Sequence, residues 1–238
     1  NYSGNDVDFV TLEKINVGAG TFRGYQKVVQ SYNVSEEGQP PVYFLYANGT
    51  NMFMTVPGSK SEAWCKALHD GTGAFVSAAV QFGEVADPDD RYCLISTFPS
   101  GSDLGIILEF DDRSGSSVDQ AARALITNGI TDIVNILTSD GSLSANTPLI
   151  FGFSYINRPG DDATAYVNNG VISTDAQTAA NSSADATDDL QLFKRDSETF
   201  PFPMEGRLYT MVITDYVPND RERGLITAAQ ASAAGIAL

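Results

Sequence analysis

From Val42 onward the chain consists of short apolar runs, each stopped within a few residues by a turn signal. "VYFLYA" (42–47) ends at "NGTN", "MFMTV" (52–56) at "PGS" and "AFVSAAVQF" (74–82) at the acidic "DPDD". "YCLIST" (92–97) ends at "PSGS" and "LGIILEF" (104–110) at "DDRSG". "IVNILT" (133–138), "LIFGFSYI" (149–156), "ATAYV" (163–167), "LQLFK" (190–194) and "RLYTMVIT" (207–214) follow. Runs of this length, rich in β-branched and aromatic residues and bounded by Gly, Pro, Asn and Asp, are strands. Ten of them predict an antiparallel sandwich or barrel. In the last run Leu208, Met211 and Ile213 do not share one parity, so that strand is buried on both faces or carries a bulge.

Two stretches have helical character. "SSVDQAARALIT" places Ser117 and Gln120 as a capping pair before an apolar run. "NDRERGLITAAQASAAG" follows Pro218, with Asn219 or Asp220 as the cap, and predicts a helix from Asn219 to Ala231. "DAQTAANSSADATDD" (175–189) has no apolar periodicity and reads as a long solvated loop. Residues 1–40 carry Phe9, Val10, Leu12, Ile15, Val17 and Phe22, too sparse for a core. They read as an arm that docks on the domain (41–238) or on another subunit, or as an N-terminal strand and linker. The expected core is Phe44, Phe53, Val76, Val80, Leu94, Ile107, Phe151, Phe153, Tyr166, Leu192, Leu208 and Ile213.

Charge narrows the function. Lys and Arg number 14 against 30 Asp and Glu, a formal net charge of −16. Nucleic acid and anionic membranes attract basic surfaces, so neither is an expected partner. No eighteen-residue apolar window suggests a membrane span. Asn1 in place of Met reads as the mark of a processed or excised chain. His69 is the only histidine, which removes triads and His-rich metal sites, and in "LHDG" it reads as a turn or cap residue. Cys65 and Cys93 read as free buried thiols, with a disulfide the alternative.

The C-terminal third has a more specific order. "ATAYVNNGVIST", "DLQLFKRD" and "FPMEGRLYTMVITDYVPNDRERGLITAA" follow one another. This order resembles the closing section of laminin G-like, concanavalin A-like jelly rolls. There a strand ends in Tyr-x-Asn-Gly, an apolar-pair strand follows, and then come a Gly-Arg or Gly-Lys, an aromatic strand and a Leu-Ser-x-x-Glu-Arg helix opening. The matching parts here are Tyr166 to Gly170, Leu190 to Lys194, Gly206 to Tyr209 and Pro218 to Arg223, with Pro218 and Asn219 in place of Leu-Ser. "YFLYANGTNMFMTVPGS" and "KALHDGTGAFVSAAVQF" are similar to the family's opening strands, so the resemblance covers residues 42–228. It implies an all-β, two-sheet antiparallel jelly-roll sandwich with a short C-terminal helix. It also implies a strand near 123–127, where local propensity favours helix.

Such folds host lectins, adhesion modules and glycoside hydrolases. A jelly-roll hydrolase would carry Glu-x-Asp-x-Glu on one strand face. Glu109 and Asp111 fit the first two places, but the third is Arg113, so the pair reads as the solvated end of an edge strand. Ca²⁺ takes loop oxygens, and Asp111, Asp112, Asp161 and Asp162 are candidate ligands among acidic loops that also include 87–90 and 185–189. Trp64, Tyr155, Tyr166 and Tyr209 read as core or sheet-face residues, and Asn48, Asn168 and Asn169 as turn formers, so no sugar site can be assigned. The expected function is a non-catalytic surface or adhesion module, binding glycan or protein on a larger assembly such as a phage decoration or fibre protein, at an extracellular or virion surface. The alternative is a polysaccharide-degrading hydrolase or lyase.

Overall fold

The computed structural model describes residues 16–17, 25–28, 42–49, 53–83, 91–99, 103–113, 118–158, 160, 162–195 and 202–238. The elements run β1 (Asn16–Val17), β2 (Tyr25–Val28), β3 (Val42–Asn48), β4 (Met54–Thr55), a 3-10 turn (Ser59–Ser61), α1 (Ala63–Asp70), β5 (Ala74–Phe82) and β6 (Arg91–Ser96). They continue β7 (Leu104–Arg113), β8 (Val118–Asn128), β9 (Asp132–Leu137), β10 (Leu149–Tyr155), β11 (Ala163–Val167), β12 (Gly170–Asp175), β13 (Gln191–Leu192), β14 (Glu205–Thr214) and α2 (Asp220–Ala234). Among the described residues the strands form two seven-stranded antiparallel sheets. The first has the order β1-β4-β13-β6-β7-β8-β9, and the second β12-β11-β10-β5-β14-β3-β2. Strands β6–β9 are contributed to the first sheet in one consecutive run and β10–β12 to the second, while β1 to β5, β13 and β14 alternate between the sheets, with β2 and β3 the one adjacent pair among them in the same sheet. The fold is thus the two-sheet jelly-roll sandwich, not a closed barrel.

Between the sheets lies one apolar layer. Phe82 stacks on Phe110 with ring centroids 4.7 Å apart, and Phe110 meets Phe151 edge-on at 5.8 Å. The bulge in β14 falls between Leu208 and Thr210. The extra residue switches the parity, so Leu208, Met211 and Ile213 all reach the core. Of the expected core, Phe53 and Ile213 are half-buried and the rest are buried. Three of the buried ones lie outside the inter-sheet layer. Phe44 packs edge-on against Tyr209, Tyr166 lies under Arg223, and Ile107 joins Cys93, Phe98 and Leu125.

Residues 118–128 form strand β8, which corrects the helical propensity of "SSVDQAARALIT". Small alanines favour helix locally. Here Ala124 stands between Leu108 of β7 and Ile136 of β9, and both backbone edges of β8 are satisfied by neighbours. Tertiary pairing outweighs a propensity difference of a few tenths of a kcal/mol per residue.

Helix α2 opens with a capping box: Asn219 Oδ1 accepts from Glu222 N, and Glu222 Oε2 accepts from Asn219 N, each at 3.0 Å. It covers the outer face of the second sheet, where Ala231 and Ala234 meet Ala79 and Ile150. Gln230 accepts from Ser77 Oγ at 2.6 Å and donates to Ser77 O at 2.9 Å, so a buried amide is paired on both sides.

The stretch 176–190 is irregular, as expected, but it is not simply solvated. It runs along the end of the first sheet, where β6 stops and β7 and β9 begin. Thr178 N donates to Ile133 O, Thr187 N to Leu104 O and Asp188 N to Thr97 O. Asp189 accepts from Gly58 N and Lys60 N, and Lys66 pairs with Asp185 at 3.0 Å. α1 lies beneath it with Cys65 and Leu68 buried and Trp64 packed against the core. His69 lies in the last turn of α1 and is fully buried, and its Nε2 lies 3.1 Å from Ala184 O.

From the segment 1–40, β1 pairs with β4 and β2 with β3. Phe9, Val10, Leu12, Ile15 and Phe22 lie outside the described residues.

Two measurements check this packing. Phe151→Ala should cost about 3–5 kcal/mol in chemical unfolding, and a loss under about 1 kcal/mol would show the register to be wrong. His69, the single histidine, gives one imidazole titration by NMR. Burial lowers its pKa more than Ala184 O and the carboxylates of Asp70 and Asp185 raise it. The midpoint should fall below about 6.5. The unfolded chain then takes up this proton first, so this residue's contribution to stability is present above that pH and shrinks as pH falls.

Candidate functional site

The outer face of the first sheet carries the densest charge among the described residues. In β7, Leu108 and Phe110 point into the sandwich, so Glu109 and Asp111 point out. The register puts Arg123 of β8 opposite Glu109 and Arg91 of β6 opposite Asp111. Cross-strand neighbours of opposite charge attract, and here three cations converge. Arg91 Nη1 and Arg123 Nη1 each lie 3.4 Å from Glu109 Oε2, and Arg195 Nη1 lies 3.5 Å from Glu109 Oε1. Arg91 Nε also lies 3.3 Å from Asp111 Oδ2. Arg195 arrives from the stretch after β13.

The carboxylates are enclosed, the Arg91 and Arg123 side chains are partly exposed, and Arg195 is nearly enclosed. Glu109 and Asp111 side chains are 0% exposed, those of Arg91 and Arg123 18%, and that of Arg195 9%. An unpaired buried carboxylate would cost several kcal/mol, so the arginines are what lets Glu109 stay buried. They are also more than that carboxylate needs. Each guanidinium has five N–H donors. The contacts to Glu109 are longer than the 2.7–2.9 Å usual for charge-assisted bonds. Among the described residues Arg195 Nε has no hydrogen-bond partner although it is buried. Among the described residues, three arginines meet two carboxylates here, within a chain of net charge −16.

Aromatic rings frame the cluster. The Phe202 ring lies 5.4 Å from the guanidinium carbon of Arg91 and 5.4 Å from that of Arg195, and Phe98 lies 5.8 Å from the latter. Cys93 N donates to Phe202 O and Phe193 N to Leu94 O, which fastens this segment beside β6. Phe193 and Phe202 have φ of +70° and +41°. Such backbone costs a bulky residue about 1–3 kcal/mol and persists only where the surroundings hold it.

This geometry corrects the expectation that Glu109 and Asp111 end a solvated edge strand. β7 is interior to its sheet, and both residues are buried and paired. Of the candidate calcium ligands, Asp111 faces Arg91 on the first sheet. Asp162 stands before β11 of the second sheet, where its two oxygens accept from Arg158 N at 3.0 Å and Gln177 N at 2.6 Å. The Asp112 side chain and Asp161 lie outside the described residues, as do Asp87, Asp89 and Asp90. Among the described residues no three of His, Cys, Asp and Glu gather as a metal would need.

The other candidates are structural. Cys65 and Cys93 are free thiols in different apolar clusters. Burial, with Asp189 adding, pushes Cys65 up to about 12. Burial and then Glu109 raise Cys93 well above its ordinary range. Neither is a ready nucleophile. The Tyr155 hydroxyl is buried between Gln177 and Asn181, and its pKa is raised mainly by that burial. Near it an open, polar cleft of about 520 Å³ is lined by Asn157, Arg158, Asp162, Gln177 and Thr178. No sequence motif marks Arg91, Arg123, Arg195 or Phe202. The available signal was Arg123 interrupting an apolar run, which becomes informative only once its register with Glu109 is known.

No protein-family model and no curated protein matches the chain. Solved structures do. The CBM40 of the Ruminococcus gnavus IT-sialidase, bound to α2,3-sialyllactose, aligns with a TM-score of 0.57 at 14% identity, covering 77% of this chain and 96% of that one. The binding domain of botulinum neurotoxin DC in complex with SialylT aligns at 0.58 and 10% identity, covering 91% of this chain. Under half of that neurotoxin domain, 46%, is matched. The fold is therefore the β-sandwich found in these binding domains. Among the described residues no helix is long and apolar enough to cross a membrane.

Glu109→Ala should cost about 3–5 kcal/mol in urea unfolding, because it leaves three arginines facing one another. A loss below about 1 kcal/mol would mean that solvent already screens the cluster.

Proposed function

We propose that this chain is a non-catalytic surface module that binds a glycan carrying an acid group, and that Arg91, Arg123 and Arg195 take that group. The observation that carries the reading is the convergence of Arg91, Arg123 and Arg195 on one buried carboxylate, with the Arg91 and Arg123 side chains partly exposed. Arginine forks match a carboxylate in two parallel hydrogen bonds. Glu109 holds the forks in place before a ligand arrives, which lowers the ordering cost of binding. The CBM40 neighbour, of which nearly the whole length is matched, was solved with a sialylated sugar, whose acid group is a carboxylate. A hydrolase or lyase would need a carboxyl group facing substrate. Glu109 and Asp111 are instead enclosed and engaged by arginine.

The second element of the proposal is docking on a larger assembly, such as a virion surface, through residues 1–40. Strands β1 and β2 each lie at the margin of a different sheet, where a neighbouring chain can meet them. Light scattering on the full chain tests this element, and a monomer at all concentrations removes it.

Calorimetry with α2,3-sialyllactose and with lactose tests the site. The acidic sugar should bind at least tenfold more tightly, the scale of one charge-assisted contact. Arg123→Gln should remove that preference and leave the fold intact. Equal affinity for the two sugars would overturn the reading.

A further inference from the structure

We propose that Phe202 is the positioning residue of the arginine site: its ring sets where two of the three guanidinium groups stand, and the preference for an acidic ligand depends on it. The inference rests on the glycan-binding reading above only for the ligand used to test it. Arg91 comes from β6 and Arg195 from the stretch after β13, so no single element orients both. The Phe202 ring does, at 5.4 Å from each guanidinium carbon. Glu109 draws the same two arginines by charge, at 3.4 and 3.5 Å, and Asp111 also holds Arg91 at Nε, but Arg195 has only the single contact to Glu109 among these pairs. An aromatic face restrains the plane, because the ring quadrupole attracts the cation and the two flat groups stack.

The backbone supports this assignment. Phe202 has φ +41°, a region that bulky residues rarely occupy. Its carbonyl accepts from Cys93 N at 2.9 Å, at the strand position that faces Glu109. A strained aromatic held at that point is an arrangement that marks ligand clamps. Phe202 also packs on the cluster of Cys93, Phe98, Ile107 and Leu125, so a purely apolar role must be separated from the positioning one.

Three variants do so. Phe202→Tyr keeps the ring, Phe202→Leu keeps apolar bulk without it, and Phe202→Gly removes the side chain while relieving the left-handed backbone. Phe202→Tyr should bind α2,3-sialyllactose within about twofold of the unmodified chain, and Phe202→Leu and Phe202→Gly about tenfold more weakly. In the unmodified chain and Phe202→Tyr, NMR should show two arginine Nε–H resonances displaced by the ring current, and both should return to ordinary positions in the other two variants. If Phe202→Leu fails to fold, Phe202→Gly decides. Unchanged binding together with unchanged arginine resonances in the ring-free variants would overturn the proposal. If the unmodified chain binds no sialyllactose, the glycan reading fails, and the arginine resonances alone decide the positioning role.

Discussion

Glu109 is a carboxylate with no exposure at all, set in the middle strand of a three-strand stretch. Burying such a charge alone would unfold a domain whose net stability is about 5–15 kcal/mol. The structure around it follows from that constraint. β6 supplies Arg91, β8 supplies Arg123, and the chain after β13 must return to the sheet to supply Arg195. Phe98 and Phe202 then cover the guanidinium faces that Glu109 does not reach. A sheet face that in a simpler sandwich would be scattered polar residues becomes a fixed cationic cluster with aromatic walls.

β7 shows how one strand serves two purposes. Its period of two sends Leu108 and Phe110 into the core and Glu109 and Asp111 to the arginines. The two sheets differ in how their outer faces are closed. α2 closes that of the second with Ala231, Ala234 and the paired Gln230 amide. The first keeps Ile107, Leu125 and Cys93 under Phe202, with the cluster alongside. A helix laid over the first sheet in the same way would bury the arginines, so the asymmetry between the faces is what keeps Arg91 and Arg123 partly exposed.

Much of the fold was legible in the residues. Strand parity in "RLYTMVIT" required a bulge or two buried faces, and the bulge lies between Leu208 and Thr210. Pro218 and Asn219 marked the start of α2, and the capping box is there. β8 was locally illegible, because its alanines favour helix and only pairing with β7 and β9 decides against it. The resemblance to jelly rolls supplied that strand where propensity could not. The site was not legible for a related reason. Glu109 and Arg123 are adjacent only in register, and Arg195 lies 86 positions from Glu109 in the chain. Without the register, Glu109 and Asp111 beside Asp112 and Arg113 looked like a strand running out into solvent. The stretch 176–190 misled similarly, since its bonds to the end of the first sheet are largely made by backbone groups and carry no sequence pattern.

A chain of net charge −16 is an unusual carrier for the proposed anion site, and the geometry addresses the conflict. Repulsion from distant surface carboxylates acts through water and is screened beyond about 8 Å at physiological ionic strength. The attraction from Arg91, Arg123 and Arg195 acts at contact, from groups at most 18% exposed, where screening is weak. Salt therefore removes the opposing long-range field first and leaves the short-range pairing largely intact. On the proposed reading, the acidic surface disfavours extended polyanions, and a small acidic ligand reaches the arginines at contact. The acidity that argued against anionic partners in the composition would then act as a filter on their size.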